Sequence, residues 1–112
     1  MTDGLGLYQE LTALLDELDR DVADLMPTGR KLAEAERDYK VAAAAKTLDL
    51  REQGKPATLT DALVKGDAEV SLLRFKRDAA EVEYRSVQES INAIKLRIRI
   101  TDAQVTREWG RA

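Results

Sequence analysis

Apolar residues early in the chain recur at steps of three and four. They fall at Leu7, Leu11, Leu14, Leu18, Val22 and Leu25, with Leu15 alongside. That spacing lines one face of an amphipathic helix. The opposite face carries Asp16, Glu17, Asp19, Asp21 and Asp24. Pro27 and Gly29 then interrupt the pattern, and a proline inside a helix removes a hydrogen bond and kinks or ends it. Beyond them Leu32, Ala35, Tyr39, Ala42 and Leu50 resume a helical stripe. The pattern predicts a helical arm over about residues 5–53, bent near Pro27. The alternative is two separate helices.

Gly54, followed by Lys55 and Pro56, ends that arm, as a glycine just past a helix and a proline soon after it do. Residues 54–67 form a corner with one or two helical turns. Thr58 and Asp61 have the spacing of a capping box, Gly66 closes the short helix, and Asp67 caps the next one. From Ala68 to about Trp109 there is neither Gly nor Pro.

Inside that run, Ile94, Lys95, Leu96, Arg97, Ile98, Arg99 and Ile100 alternate like a half-buried strand. The longer register decides for helix. Ala80, Tyr84, Val87, Ile91, Ile94, Ile98, Thr101 and Val105 follow alternating steps of four and three on both sides of the seven-residue stretch. Ala93, Leu96, Ile100 and Ala103 form a second stripe. At about 100° per residue the two stripes lie on nearly opposite faces of one helix. Such a helix over 68–109 is roughly 60 Å long at 1.5 Å per residue.

The prediction is therefore all-α: one helical domain over 1–112, a long antiparallel helical hairpin of coiled-coil type with a short helical corner. Tyr39 is expected to face the region of Phe75, and Tyr8 to approach the last turns before Trp109. Tyr39, Phe75 and Tyr84 read as core. One arm covers one stripe of the C-terminal helix, so the other needs a second surface. A homo-oligomer along that stripe is expected, with Leu96, Ile100, Ala103 and Trp109 as its oligomer or partner interface. For Trp109, docking of the chain end is the favoured use and a binding anchor the alternative. A monomeric three-helix bundle, with the first arm folded in two at Pro27, is the alternative.

Composition narrows the chemistry. The chain has 112 residues with no His and no Cys. Zinc hydrolases, Cys-His and Ser-His-Asp catalysis and Glu-x-x-His di-iron sites are excluded. Carboxylate-only magnesium sites and Lys- or Tyr-based chemistry remain open, but no motif points to them. The expectation is a non-enzyme with no catalytic, cofactor-binding or metal residues and no cofactor. No apolar run approaches a membrane span, and the acidic start MTDGLGLYQE lacks the features of a signal peptide.

Charge is uneven: residues 1–26 carry seven acids and one Arg, and residues 27–112 carry 17 bases and 14 acids. An antiparallel hairpin brings the acidic first helix beside Lys95, Arg97, Arg99 and Arg107, where mutual neutralisation is expected. The functional reading of the bases is contact with an anion or nucleic acid through Arg74, Lys76, Arg77, Lys95 and Arg99. A net charge of −3 and a pI near 5.1 oppose a dedicated DNA-binding face.

The blocks GRKLAEAERDYKVA, PATLTDALVKGDAEV and LRFKRDAAEVEYRSVQESINAIKLRIRI, closing on REWG, resemble small helical proteins encoded by tailed phages and prophages of Gram-positive bacteria. The resemblance covers roughly residues 29–110. It implies a phage protein acting in the host cytoplasm, of the early accessory kind. The expected function is protein–protein interaction with a host or phage protein, inhibition of a host defence protein being one form. A nucleic-acid-processing factor, a ligand-sequestering oligomer and a virion or assembly component are the alternatives.

Overall fold

The computed structural model describes residues 4–110. They form α1 (Gly4–Glu52), α2 (Ala57–Gly66) and α3 (Ala68–Trp109). No strand occurs among the described residues, so the alternating stretch at 94–100 is helical. The chain divides into two compact units: Met1–Pro27 with Arg85–Ala112, and Thr28–Tyr84. In each, a segment of α1 packs antiparallel against a segment of α3, the hairpin that the sequence predicts.

In the terminal unit the seam positions of α1, all at least half-shielded, are Leu7, Leu11, Leu14, Leu18, Asp21 and Leu25. Those of α3 are Val87, Ile91, Ile94, Ile98, Thr101 and Val105. Both sets alternate steps of three and four, a mean of about 3.5 residues and the signature of a coiled-coil seam. Ile94 is its best-buried member, at 2% exposure. Here the structure corrects the sequence reading, which puts Val22 in the stripe. After steps of four, three and four from Leu7 to Leu18, the alternation requires three. That places Asp21 in the seam and leaves Val22 exposed. The seam accepts a carboxylate there because Ser90 of α3 donates its hydroxyl proton to Asp21 Oδ2.

The turn unit continues the same logic with smaller residues. Thr28, Leu32, Ala35, Tyr39, Ala42, Lys46 and Leu50 of α1 are at least half-shielded. Leu50, Val64 and Val70 form its core, with Tyr39, Ala42 and Ala43 packed against them. Arg77 takes a shielded position on α3 with its guanidinium 4.6 Å from the Tyr39 ring centroid, a cation–π contact. Phe75, expected to face Tyr39 in the core, is instead 69% exposed. It lies off the register that carries Leu73, Arg77 and Ala80.

Pro27 does not split the first arm: α1 runs through it as one helix. Pro27 and Ala23 are both exposed, so the carbonyl that loses its intrahelical donor belongs to a solvent-facing residue. The three-helix alternative is thereby excluded. The corner is built by caps. Lys55 N–H reaches Leu50 O at 3.2 Å and Gly54 N–H reaches Arg51 O at 3.0 Å, with Gly54 at φ +80°, which is a Schellman ending. Val70 N–H donates to Asp67 Oδ2 at 3.1 Å, so Asp67 caps α3 as expected. The capping box does not form. Pro56 is the N-cap of α2 and Thr58 lies inside the helix, while Thr60 donates to Pro56 O at 2.9 Å.

Candidate interaction surface

In the terminal unit α3 presents its second stripe to solvent. Ala93, Leu96, Ile100 and Ala103 are all exposed, with Leu96 at 55% and Ile100 at 53%. The sequence offers Trp109 both to this interface and to docking of the chain end, and the structure gives it the second use. By helical periodicity Trp109 falls on the side of α3 turned toward α1. A Cβ added to Gly4 would meet its Nε1 at 2.8 Å. The indole docks on the chain's own first turn while remaining 64% exposed.

A further apolar surface escapes the sequence reading. Leu5, Tyr8, Leu15, Val22 and Met26 of α1 are all exposed. At about 100° per residue they fall within an arc of roughly 100° on one flank of the helix. The spacing of Tyr8, Leu15 and Val22, seven residues each, carried this signal. It was hidden because Val22 satisfied a four-three pattern by itself.

The basic residues are not brought together as a single site. In the turn unit Arg77 is engaged: Asp78 Oδ1 accepts from its Nε at 3.0 Å and its Nη2 at 2.8 Å. That hydrogen bonding, opposed by desolvation, raises the Arg77 pKa above its ordinary value. Arg74 is exposed. Lys76 borders an open groove of about 440 Å³ with Lys31, Glu34, Asp38, Phe75 and Glu83. Lys31 already pairs there with Glu83 at 2.7 Å, and the three carboxylates disfavour an anion.

In the terminal unit Lys95, Arg97, Arg99 and Arg107 are exposed, and none makes an ion pair within 4.0 Å among the described residues. The expected neutralisation by the acids of α1 is therefore not made. Helical geometry gives part of the reason. Lys95 and Arg99 stand on the flank of α3 that borders Tyr8, Leu15 and Val22, whereas Glu10, Glu17 and Asp24 leave α1 on the other flank. Arg97 shares the flank of those carboxylates without reaching ion-pair distance.

No cluster of three or more potential metal ligands occurs among the described residues. No described helix is long and apolar enough to cross a membrane. The geometry defines a class: an all-helical hairpin with coiled-coil seams and apolar stripes left on the outside of both terminal-unit helices. No protein-family model matches the chain, and neither the curated proteins nor the solved structures provide a match.

Proposed function

We propose that this chain works by binding another protein, as a non-enzymatic accessory factor. The observation that carries this reading is the flank of α1, where Leu5, Tyr8, Leu15, Val22 and Met26 are exposed on one side. Solvent-facing apolar strips of this kind are characteristic of interaction sites. The strip is edged by Lys95 and Arg99. It fits an amphipathic partner helix with apolar anchors at steps of three and four and carboxylates along one edge. The resemblance to phage and prophage proteins supports a bacterial host or phage protein as the partner, and inhibition of a host defence protein is one form that such binding would take.

The test is capture from nuclease-treated host lysate by the wild-type chain and by Leu15→Asp and Val22→Asp. A stoichiometric protein held by wild type and lost from both variants at unchanged helicity supports the reading. Equal capture by all three chains overturns it.

A second reading draws on Lys95, Arg97 and Arg99, which make no ion pair among the described residues and would suit nucleic-acid phosphates. Binding to DNA or RNA that weakens steeply with salt would favour it. The overall charge of −3 weighs against it.

A further inference from the structure

Unlike the inner stripe of α3, the outer one is exposed and ends in opposite charges. Taken in order along the terminal unit, its positions are Glu89, Ala93, Leu96, Ile100, Ala103 and Arg107, all exposed. The steps are four, three, four, three, four, the same in both directions. The chemistry is also mirrored: acid, alanine, large aliphatic, large aliphatic, alanine, base. Neither Glu89 nor Arg107 has an ion-pair partner within the described chain.

We infer that this stripe is a self-complementary docking surface for a second copy of the chain, its α3 laid antiparallel about a twofold axis at the level of residue 98. The inference rests on the reading of the chain as an interaction protein and names one partner. Each copy then sets Leu96 against the other's Ile100 and Ala93 against Ala103. Glu89 is set against Arg107 at both ends.

A 3.5-residue stripe is matched by a helix of the same period, which the second α3 supplies. Orientation follows from charge. A parallel pair would stack Glu89 on Glu89 and Arg107 on Arg107, which opposes that arrangement. Large aliphatics meet at the centre and alanines beside them, so the helices approach closely where the stripe is driest. The antiparallel arrangement has one unfavourable feature: Arg97 and Arg99 flank the stripe, each near its own counterpart across the axis. Both are solvated, where like-charge repulsion is weak and is screened by salt.

Charge exchange gives a test that only two copies can satisfy. Glu89 and Arg107 are separated by about 27 Å along one helix at 1.5 Å per residue, so neither can rescue the other within a chain. Sedimentation velocity of the full chain is expected to show a dimer. Glu89→Arg or Arg107→Glu alone should weaken it several-fold, and the double exchange should restore it. The absence of cysteine allows a second measurement. Leu96→Cys and Ile100→Cys chains, oxidised as a mixture, should form the mixed disulfide far faster than either forms its own. A chain that is monomeric at all concentrations overturns the inference. So does faster disulfide formation in each pure variant than in the mixture. A chain that stays monomeric but still captures its partner overturns the self-pairing and leaves the proposed function standing.

Discussion

The Ser90 hydroxyl donates its proton to the Asp21 carboxylate across the α1–α3 seam. This is a polar pair at a position where the repeat calls for an apolar residue. Polar seam positions of this kind lower stability but fix register, because a shifted alignment leaves the polar group facing hydrocarbon. Ser90→Ala is expected to cost about 1 kcal/mol through the lost hydrogen bond. Asp21→Leu should raise the urea midpoint by completing the apolar seam. A rise in midpoint for Ser90→Ala would show that the pair contributes nothing.

The two stripes of α3 predict opposite responses to truncation. Ile94 is 2% exposed, so Ile94→Ala should destabilise the fold by about 2–5 kcal/mol. Ile98→Asp, in the same seam, is expected to unfold the terminal unit. Leu96→Ala on the outer face should leave the unfolding of a dilute chain within about 0.5 kcal/mol of wild type. Circular dichroism in urea reads all three, and similar losses at Ile94 and Leu96 would contradict the assignment of faces.

Gly54 and Gly66 bracket the corner and should respond in opposite directions. Gly54 is left-handed at φ +80°, so Gly54→Ala carries a strain of about 1–2 kcal/mol and should lower the melting temperature. Gly66 closes α2 with ordinary φ, and nothing lies within 4 Å of an added Cβ. Gly66→Ala should stabilise by about 0.4–1 kcal/mol by restricting the unfolded chain.

Asp67 gives the corner an acid sensitivity. The Val70 N–H holds its carboxylate below the ordinary value of 3.8 against an opposing desolvation, and Lys46, with its ammonium 3.5 Å away, adds to the lowering. A carboxylate whose pKa falls on folding contributes stability above its unfolded pKa and loses it as pH drops through the folded one. The contribution is therefore complete at neutral pH and fades below the ordinary carboxylate range. Asp67→Ala should lower the neutral-pH melting temperature and flatten its decline in acid. Asp67→Asn keeps a cap acceptor, so it should lose less at neutral pH while flattening the acid limb equally. Indistinguishable acid limbs in wild type and Asp67→Asn would refute the linkage.

What the sequence made legible divides along physical lines. The inner stripe of α3 was readable residue by residue, because eight positions held one register without Gly or Pro. Gly54 and Asp67 were readable because their roles depend on local backbone chemistry. The Asp21–Ser90 pair was not. An aspartate beside an available valine reads as surface until the phase of the repeat is carried through, and its tolerance depends on a residue 69 positions away. The exposed flank of α1 was lost with it, since Val22 was spent on the seam. Thr58 failed as a cap because α2 already begins at Ala57, with Pro56 as its N-cap.

Trp109 is the chain's one tryptophan, and its contact with Gly4 makes it a reporter for the meeting of α1 and α3 at their free ends. An added Cβ on Gly4 would lie 2.8 Å from the indole Nε1, a distance that forces the ring aside. The ring is a flexible side chain already 64% exposed, so moving it should cost little. Gly4→Leu is thus expected to shift the fluorescence maximum to the red, as the indole gains water, while stability changes by no more than about 0.5 kcal/mol. Leu7→Ala is the contrast, since Leu7 is buried one turn further in. It should shift the emission and also lower the urea midpoint, by about 2–5 kcal/mol of stability. An unshifted spectrum in Gly4→Leu would mean that Trp109 does not rest on the first turn of α1 in solution.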